Sequence, residues 1–165
     1  MKIIVVIGAS GSGKTTYIEN EIIKNRPISD YIIDNIPVSI VDDILLFGKY
    51  NVDKRCKGCD TLSMSIIDKL ILTLEELIDD KKYNTIVIDG DRINNNKMLE
   101  FLKHYKRFVE VIYINTPLDI IFSRLPECNK TFVKTTYTKS KNMVHKYLQN
   151  FKVNTVQTKS TGEWF

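Results

Sequence analysis

An unbroken apolar run, Ile3-Ile4-Val5-Val6-Ile7, passes directly into Gly8-Ala9-Ser10-Gly11-Ser12-Gly13-Lys14-Thr15. This junction constrains the fold more than any other stretch. A run with no polar position suits a strand buried on both faces, as in a parallel sheet covered by helices. The glycines that follow let the backbone curl until successive N–H groups point inward. Behind them Ile18, Ile22 and Ile23 recur at helical spacing, which predicts a helix over residues 14–24, ended by Asn25-Arg26-Pro27. Such a strand, turn and helix form an anion site, because the inward N–H groups and the positive end of the helix both favour phosphate oxygens.

The spacing is G-x-x-x-x-G-K-[ST], and in this context the chain resembles the P-loop NTPases. The resemblance implies that Gly8, Ala9, Ser10, Gly11, Ser12, Gly13, Lys14, Thr15 and Thr16 bind ATP. It also implies that Lys14 reaches the terminal phosphates and that the Thr15 hydroxyl binds Mg²⁺.

The remaining chain alternates strand and helix patterns. Val38–Val41 and Ile44–Phe47 read as short strands with a turn at Asp42-Asp43, and residues 48–60 read as a polar loop. Leu62, Ile66, Leu70, Leu74, Leu77 and Ile78 form one stripe, which predicts a helix over 62–81. Thr85–Ile88 is a second buried strand, ending at Asp89. Met98, Leu102 and Tyr105 suggest a short helix, and Val109–Ile114 a third strand. Thr116-Pro117 opens a further helix, Thr as cap and Pro in the first turn, running to about Leu125. Residues 126–133 read as irregular. Tyr137, Val144, Leu148 and Phe151 mark a late helix, and Val153–Thr158 a last strand. The expected fold is α/β, a three-layer α/β/α sandwich with a mainly parallel sheet, in a single domain over 1–165.

Three constellations bear on chemistry. An apolar strand ending in Asp is what a P-loop protein uses to hold Mg²⁺ or its water shell, and the resemblance implies that role for Asp89. The run Asp89-Gly90-Asp91-Arg92 resembles the D-G-x-x-R pattern of nucleoside monophosphate kinases, one residue shorter, and the D-R pair of thymidylate and deoxynucleoside kinases. That likeness makes Asp91 or Asp89 the acid facing the acceptor and Arg92 a phosphate holder. The segment from Thr116 to Leu125 resembles the stretch before the lid of small P-loop kinases, which makes Arg124 a candidate for the phosphates. Lys130, Lys134, Lys139 and Lys141 are then candidates for a basic lid, over a region of about 124–142. A closed lid excludes water and prevents wasteful hydrolysis.

The acceptor region of such kinases corresponds to residues 28–62. Here Gly48-Lys49-Tyr50 and Gly58 to Ser63 weakly resemble a segment of phage-encoded P-loop kinases, among them enzymes that phosphorylate 5-hydroxymethyluracil in DNA. Lys49, Tyr50, Arg55, Asp60 and Thr61 would face the acceptor, with Tyr50 stacking on a base. Asp34 is a second candidate acid. Cys56-Lys57-Gly58-Cys59 is half a zinc site; Cys128, His104 and His145 do not supply the other half at metal spacing, so ordinary loop cysteines are expected.

Composition limits the remaining classes. Hydrophobic residues at 43% and charged residues at 27% are those of a globular domain. No apolar run approaches the ~20 residues of a membrane helix, so no membrane partner is expected. Three cysteines make no disulfide framework, which suits a cytoplasmic setting, that of the host if the chain is viral. Residues 103–165 carry eleven Lys/Arg against four Asp/Glu, while residues 1–102 carry thirteen against sixteen. The basic final third suits DNA or nucleotide phosphates.

The expected function is a Mg²⁺-ATP-dependent kinase acting on a nucleotide, nucleoside or nucleic-acid acceptor. The competing classes are a P-loop ATPase or GTPase that works by hydrolysis, a small-metabolite kinase and a non-catalytic nucleotide-binding module. No N-K-x-D run for guanine selection is present.

Overall fold

The computed structural model describes residues 1–52, 57–63, 65–125 and 129–158. Seven strands form one sheet: β1 (Lys2–Ile7), β2 (Ser29–Ile33), β3 (Ile36–Val41), β4 (Ile44–Phe47), β5 (Thr85–Asp89), β6 (Val109–Asn115) and β7 (Val153–Gln157). Their order is β2-β3-β4-β5-β1-β6-β7. From β4 to β7 all neighbours are parallel, whereas β2, β3 and β4 pair antiparallel. The helices are α1 (Lys14–Tyr17), α2 (Ile67–Asp80), α3 (Asn96–His104), α4 (Leu118–Arg124) and α5 (Lys130–Leu148).

Strand burial explains the layering. Successive residues of β1 point to opposite faces, and both sets are buried. Ile3, Val5 and Ile7 pack with Leu70, Leu74, Met98, Leu102, Met143 and Tyr147 of α2, α3 and α5. Ile4 and Val6 pack with Ile18, Ile22 and Ile23 on the other face. The result is the expected three-layer α/β/α sandwich with a mainly parallel sheet. Among the described residues no helix is long and apolar enough to cross a membrane.

Several boundaries differ from the periodicity. After Tyr17 the helix widens into a π-helical run over Ile18–Ile23, in which the Lys24 N–H donates to the Glu19 carbonyl at 2.8 Å. All three isoleucines still face the sheet. Lys24 and Asn25 then take left-handed conformations, with φ of 54° and 58°. Arg26 closes this end: its guanidinium donates to the carbonyls of Ile22 and Ile23 and pairs with Asp42 at 2.8 Å.

A strand that the sequence pattern did not reveal, β2, forms a hairpin with β3. Its two-residue turn, Asp34-Asn35, has φ of 48° and 56°, both positive as a type I′ turn requires. β2 lies at the sheet edge, with Ile32 70% exposed.

The helix expected over 62–81 starts at Ile67. Leu62 is instead extended, after a 3-10 turn over Cys59–Thr61, because Arg92 takes the Leu62 carbonyl and draws it out of any helical ladder. The Leu62 side chain still joins the core. Thr116 does not cap α4. The cap position falls on Pro117, and the Thr116 hydroxyl is spent on the Ser12 carbonyl at 2.7 Å. Of the stretch expected to be irregular, residues 130–133 are the first turn of α5, capped by the Asn129 side chain on the Phe132 N–H.

Replacing Arg26 by Met removes charge-assisted hydrogen bonds to two terminal carbonyls. The change is expected to cost ~1–2 kcal/mol of unfolding free energy in a urea titration. An unchanged midpoint would refute the capping role.

Candidate phosphate-binding site

β1 is flanked by β5 and β6, and the chain leaves it in both directions: toward β4 through α1, and later from β5 across to β6. That makes the C-terminal end of β1 a topological switch point, the place where open α/β sheets bind ligands. The loop Gly8–Thr15 occupies it. Residue pairing sets Val6 opposite Asp89 and Ile7 opposite Tyr113, so the ends of three strands meet beneath the loop.

The loop is held from several sides. The Tyr17 N–H donates to the Gly13 carbonyl at 2.9 Å, which begins the helix. The Ser10 N–H donates to the Thr136 hydroxyl of α5 at 3.1 Å. The Ser12 carbonyl accepts from Thr116, whose hydroxyl in turn accepts from Thr158 at 2.7 Å. Gly11 has φ 77°, and a Cβ there would lie 2.4 Å from the Leu125 side chain and 3.1 Å from Ile121. The left-handed φ favours glycine here, and a larger residue would also push the Leu125 tip off the loop.

Lys14 is 7% exposed, and its ammonium donates to the Gly8 and Ala9 carbonyls, each at 2.9 Å. Those partners are neutral, so the positive charge is oriented but not cancelled. The Ser12 hydroxyl is buried with no hydrogen-bond partner among the described residues. Both groups are suited to phosphate oxygens. Thr15 is half-buried and Thr16 exposed at the start of α1.

Two acids share the field of Lys14. Asp89 is 3% exposed and accepts the Cys59 N–H at 3.0 Å. Burial raises its pKa, against the lowering effects of that N–H and of Lys14. The backbone reaches Asp89 only because residue 58 is glycine, with φ 62°; a Cβ there would lie 2.6 Å from an Asp89 oxygen and 2.6 Å from the Tyr50 hydroxyl. Asp91 is also raised by burial, against Lys14 and Lys139. One Asp91 carboxylate oxygen has no partner among the described residues, while its backbone carbonyl accepts from Lys139 at 2.5 Å. Asp60, exposed on the 3-10 turn, pushes both carboxyls up further.

The other candidates separate. Arg92 donates to the Leu62 carbonyl and so ties the β5–α3 loop to residues 57–62. Arg124 ends α4, one residue before the Leu125 that packs on Gly11. Tyr50 is 2% exposed, its ring in the core and its hydroxyl beside Asp89, so it offers no face for stacking on a base. Lys49 and Thr61 are half-buried and bonded to each other, the Lys49 N–H donating to the Thr61 hydroxyl at 3.1 Å. Asp34 sits in the β2–β3 turn and accepts from Thr73, with β4 and β5 between its hairpin and β1. Cys59 is buried, its thiol pushed up by burial and donating to the Phe47 carbonyl. Arg55, Cys56 and Cys128 lie outside the described residues.

The four lysines expected in a lid belong to one continuous helix, α5, on different faces. Lys130 lies over the Phe122 ring and Lys141 over Tyr137, at 5.8 and 4.5 Å from the centroids, while Lys134 and Lys139 turn toward the start of α3. The sequence reading missed Thr136 and Thr158, and the backbone of Gly58 and Cys59. Hydroxyls and N–H groups that act through tertiary contacts leave no spacing signal.

The sequence matches no protein-family model, and no curated protein matches it.

The donor set fits the groups that the motif implies. Lys14, the Ser12 hydroxyl and the loop N–H groups suit a triphosphate. Thr15 and Asp89 supply hard oxygens of the kind Mg²⁺ takes alongside waters and phosphates. Among the described residues no three Asp, Glu, His or Cys side chains converge as a metal cage.

Because Asp91 is raised in the folded state, the native protein holds its proton over a pH range where the unfolded chain has lost it. Stability should fall as pH rises from about 4 through that range. In metal-free buffer Asp91→Asn should flatten the decline of Tm with pH, the two proteins converging near pH 4; parallel curves would contradict the raised carboxyl. Gly58→Ala should lower stability by ~1–3 kcal/mol through backbone strain, visible as a reduced Tm, and an unchanged Tm would mean that the segment yields freely.

Proposed function

We propose that this chain is a Mg²⁺-ATP-dependent kinase that transfers the γ-phosphate of ATP to a nucleotide, nucleoside or nucleic-acid acceptor. The reading is carried by Lys14, a buried ammonium with neutral partners, at the switch point of the sheet and in the field of two raised carboxyls. A charge stored in this way is preorganised for the negative oxygens of a transferring phosphoryl group, and little other covalent help is needed.

In this reading Lys14 leaves the Gly8 and Ala9 carbonyls for the phosphates, and the loop N–H groups take the remaining oxygens. Thr15 and Asp89 would hold Mg²⁺, which when bound would supply charge neutralisation on the phosphate oxygens. Asp91 accepts the proton of the attacking hydroxyl; its raised pKa makes it a stronger base than an ordinary carboxylate. Arg92 steers the acceptor from the side of residues 57–62, and Arg124 adds positive charge from α4. Ile121 and Leu125 keep water from the loop tip. The Asp91 oxygen that has no partner among the described residues favours transfer over a binding role alone, since it is not committed to a structural bond. A cytoplasmic setting, where thiols stay reduced, suits the free buried Cys59.

The test is transfer of labelled γ-phosphate from ATP with Mg²⁺ to nucleosides, nucleoside monophosphates, 5′-hydroxyl oligonucleotides and DNA containing 5-hydroxymethyluracil. Label in one acceptor class supports the proposal and names the substrate; label appearing only as free phosphate replaces it with an ATPase. Lys14→Ala should lower transfer by ~10²–10³-fold. Asp91→Asn should abolish transfer and leave ATP binding intact. A fall in ATP binding would move Asp91 to the metal.

A further inference from the structure

Outside the phosphate loop, a cleft of about 650 Å³ opens between the β5–α3 junction, residues 94–96, and one side of α5. Its α5 wall includes residues 134, 138, 142 and 146, four apart and therefore on one helical face. At 1.5 Å per residue this wall runs about 18 Å along the helix.

The cleft is built for negative charge. Lys134, Lys139 and Lys146 line it, and among the described residues no Asp or Glu does, although the Asp91 carboxyl lies within the field of Lys139. Lys139 donates to the Asp91 backbone carbonyl and Lys146 to the Asn96 side-chain oxygen at 2.8 Å, both neutral acceptors. Among the described residues none of the three forms an ion pair. The opposite wall is the N-terminal end of α3, whose partial positive charge adds to theirs.

Asn94 lines the cleft and is 2% exposed, yet neither its amide nitrogen nor its amide oxygen has a partner among the described residues. Buried amides are nearly always hydrogen-bonded. Asn94 also borders a closed void beside Asp89 and Tyr147, so its amide would offer two donors and an acceptor to the cleft only on turning toward it.

We propose that the α3–α5 cleft binds the phosphodiester backbone of a nucleic-acid strand and leads it to Asp91. Length favours a strand over a single nucleotide. Each phosphate of a duplex strand advances ~3.4 Å along the helix axis, and successive phosphates of an extended strand lie about twice that apart, so a wall of about 18 Å meets several of them, whereas a mononucleotide reaches only part of it. The wall between the lysines is Thr135, Thr138 and Asn142, which read sugar and phosphate oxygens without reading bases. Lys139 joins this wall to the backbone of Asp91, so a bound strand ends at the acid assigned to the acceptor hydroxyl. The proposal rests on the nucleic-acid branch of the function proposed above and narrows it to that branch.

The experiment is fluorescence anisotropy of a labelled 12-nucleotide DNA strand against the full chain, without ATP, between 50 and 200 mM KCl. It compares the wild type with Lys134→Ala/Lys146→Ala, two surface changes outside the phosphate loop, with Mg²⁺-ATP binding and the thermal melt as folding controls. The expected result is at least tenfold weaker binding at the lowest salt and a slope of log K against log salt reduced by about 2. Equal strand binding by wild type and double variant overturns the proposal, as does no strand binding at all. A mononucleotide bound as tightly as the strand overturns it too, by making the cleft a single-phosphate pocket. Lysine-dependent strand binding in a protein that transfers no phosphate would leave the cleft standing and remove the kinase reading.

Discussion

A lysine ammonium taken out of water is costly unless nearby oxygens return what the solvent gave. Lys14 meets this condition through two carbonyls of its own loop. The loop keeps those carbonyls in place only because other elements hold it. Thr136 takes the Ser10 N–H, Thr116 takes the Ser12 carbonyl, and α4 covers Gly11. Asp89 and Asp91 lie within the same field, their protonation opposed by the charge that the loop preserves. Sheet order, helix placement and carboxyl chemistry at this end of the molecule thus all refer to one cation.

The segment over residues 57–62 is drawn in by contacts from two sides. The Cys59 N–H reaches down to Asp89, and the Leu62 carbonyl is taken by Arg92. Gly48 and Gly58 permit the approach, since a Cβ on Gly48 would lie 1.9 Å from the Gly58 carbonyl oxygen. The Gly58 N–H completes the clasp on the Lys49 carbonyl at 2.8 Å. The Cys59 N–H occupies one Asp89 oxygen, and the other oxygen of the carboxyl is not taken by it.

The parts legible in the sequence were those written locally. The strand β1, its glycine-rich turn and the strand ending at Asp89 each follow from hydrophobic continuity and turn chemistry, and all three stand where expected. The three-layer arrangement followed from alternation alone. What stayed hidden depends on partners distant in sequence. Leu62 continues a helical stripe, yet a guanidinium from residue 92 keeps it extended. Thr116 precedes Pro117 as a cap would, yet Ser12 claims its hydroxyl. Tyr50 looks like a surface aromatic in a polar loop, yet the core encloses its ring. Of the candidate site, Lys14, Asp89 and Asp91 converge, whereas the cleft beside α3 had no motif to announce it.

The hydroxyl relay from Thr158 through Thr116 to Ser12 bridges 42 and then 104 positions of chain. β1 likewise lies between strands that come much later, β5 and β6. Contacts of such separation form late, after the closure entropy of long loops has been met. A ribosome therefore releases the glycine-rich turn first and its supports last. During synthesis the emerging chain carries the motif without the scaffold that shapes it, and the loop takes its final form only once β7 has docked.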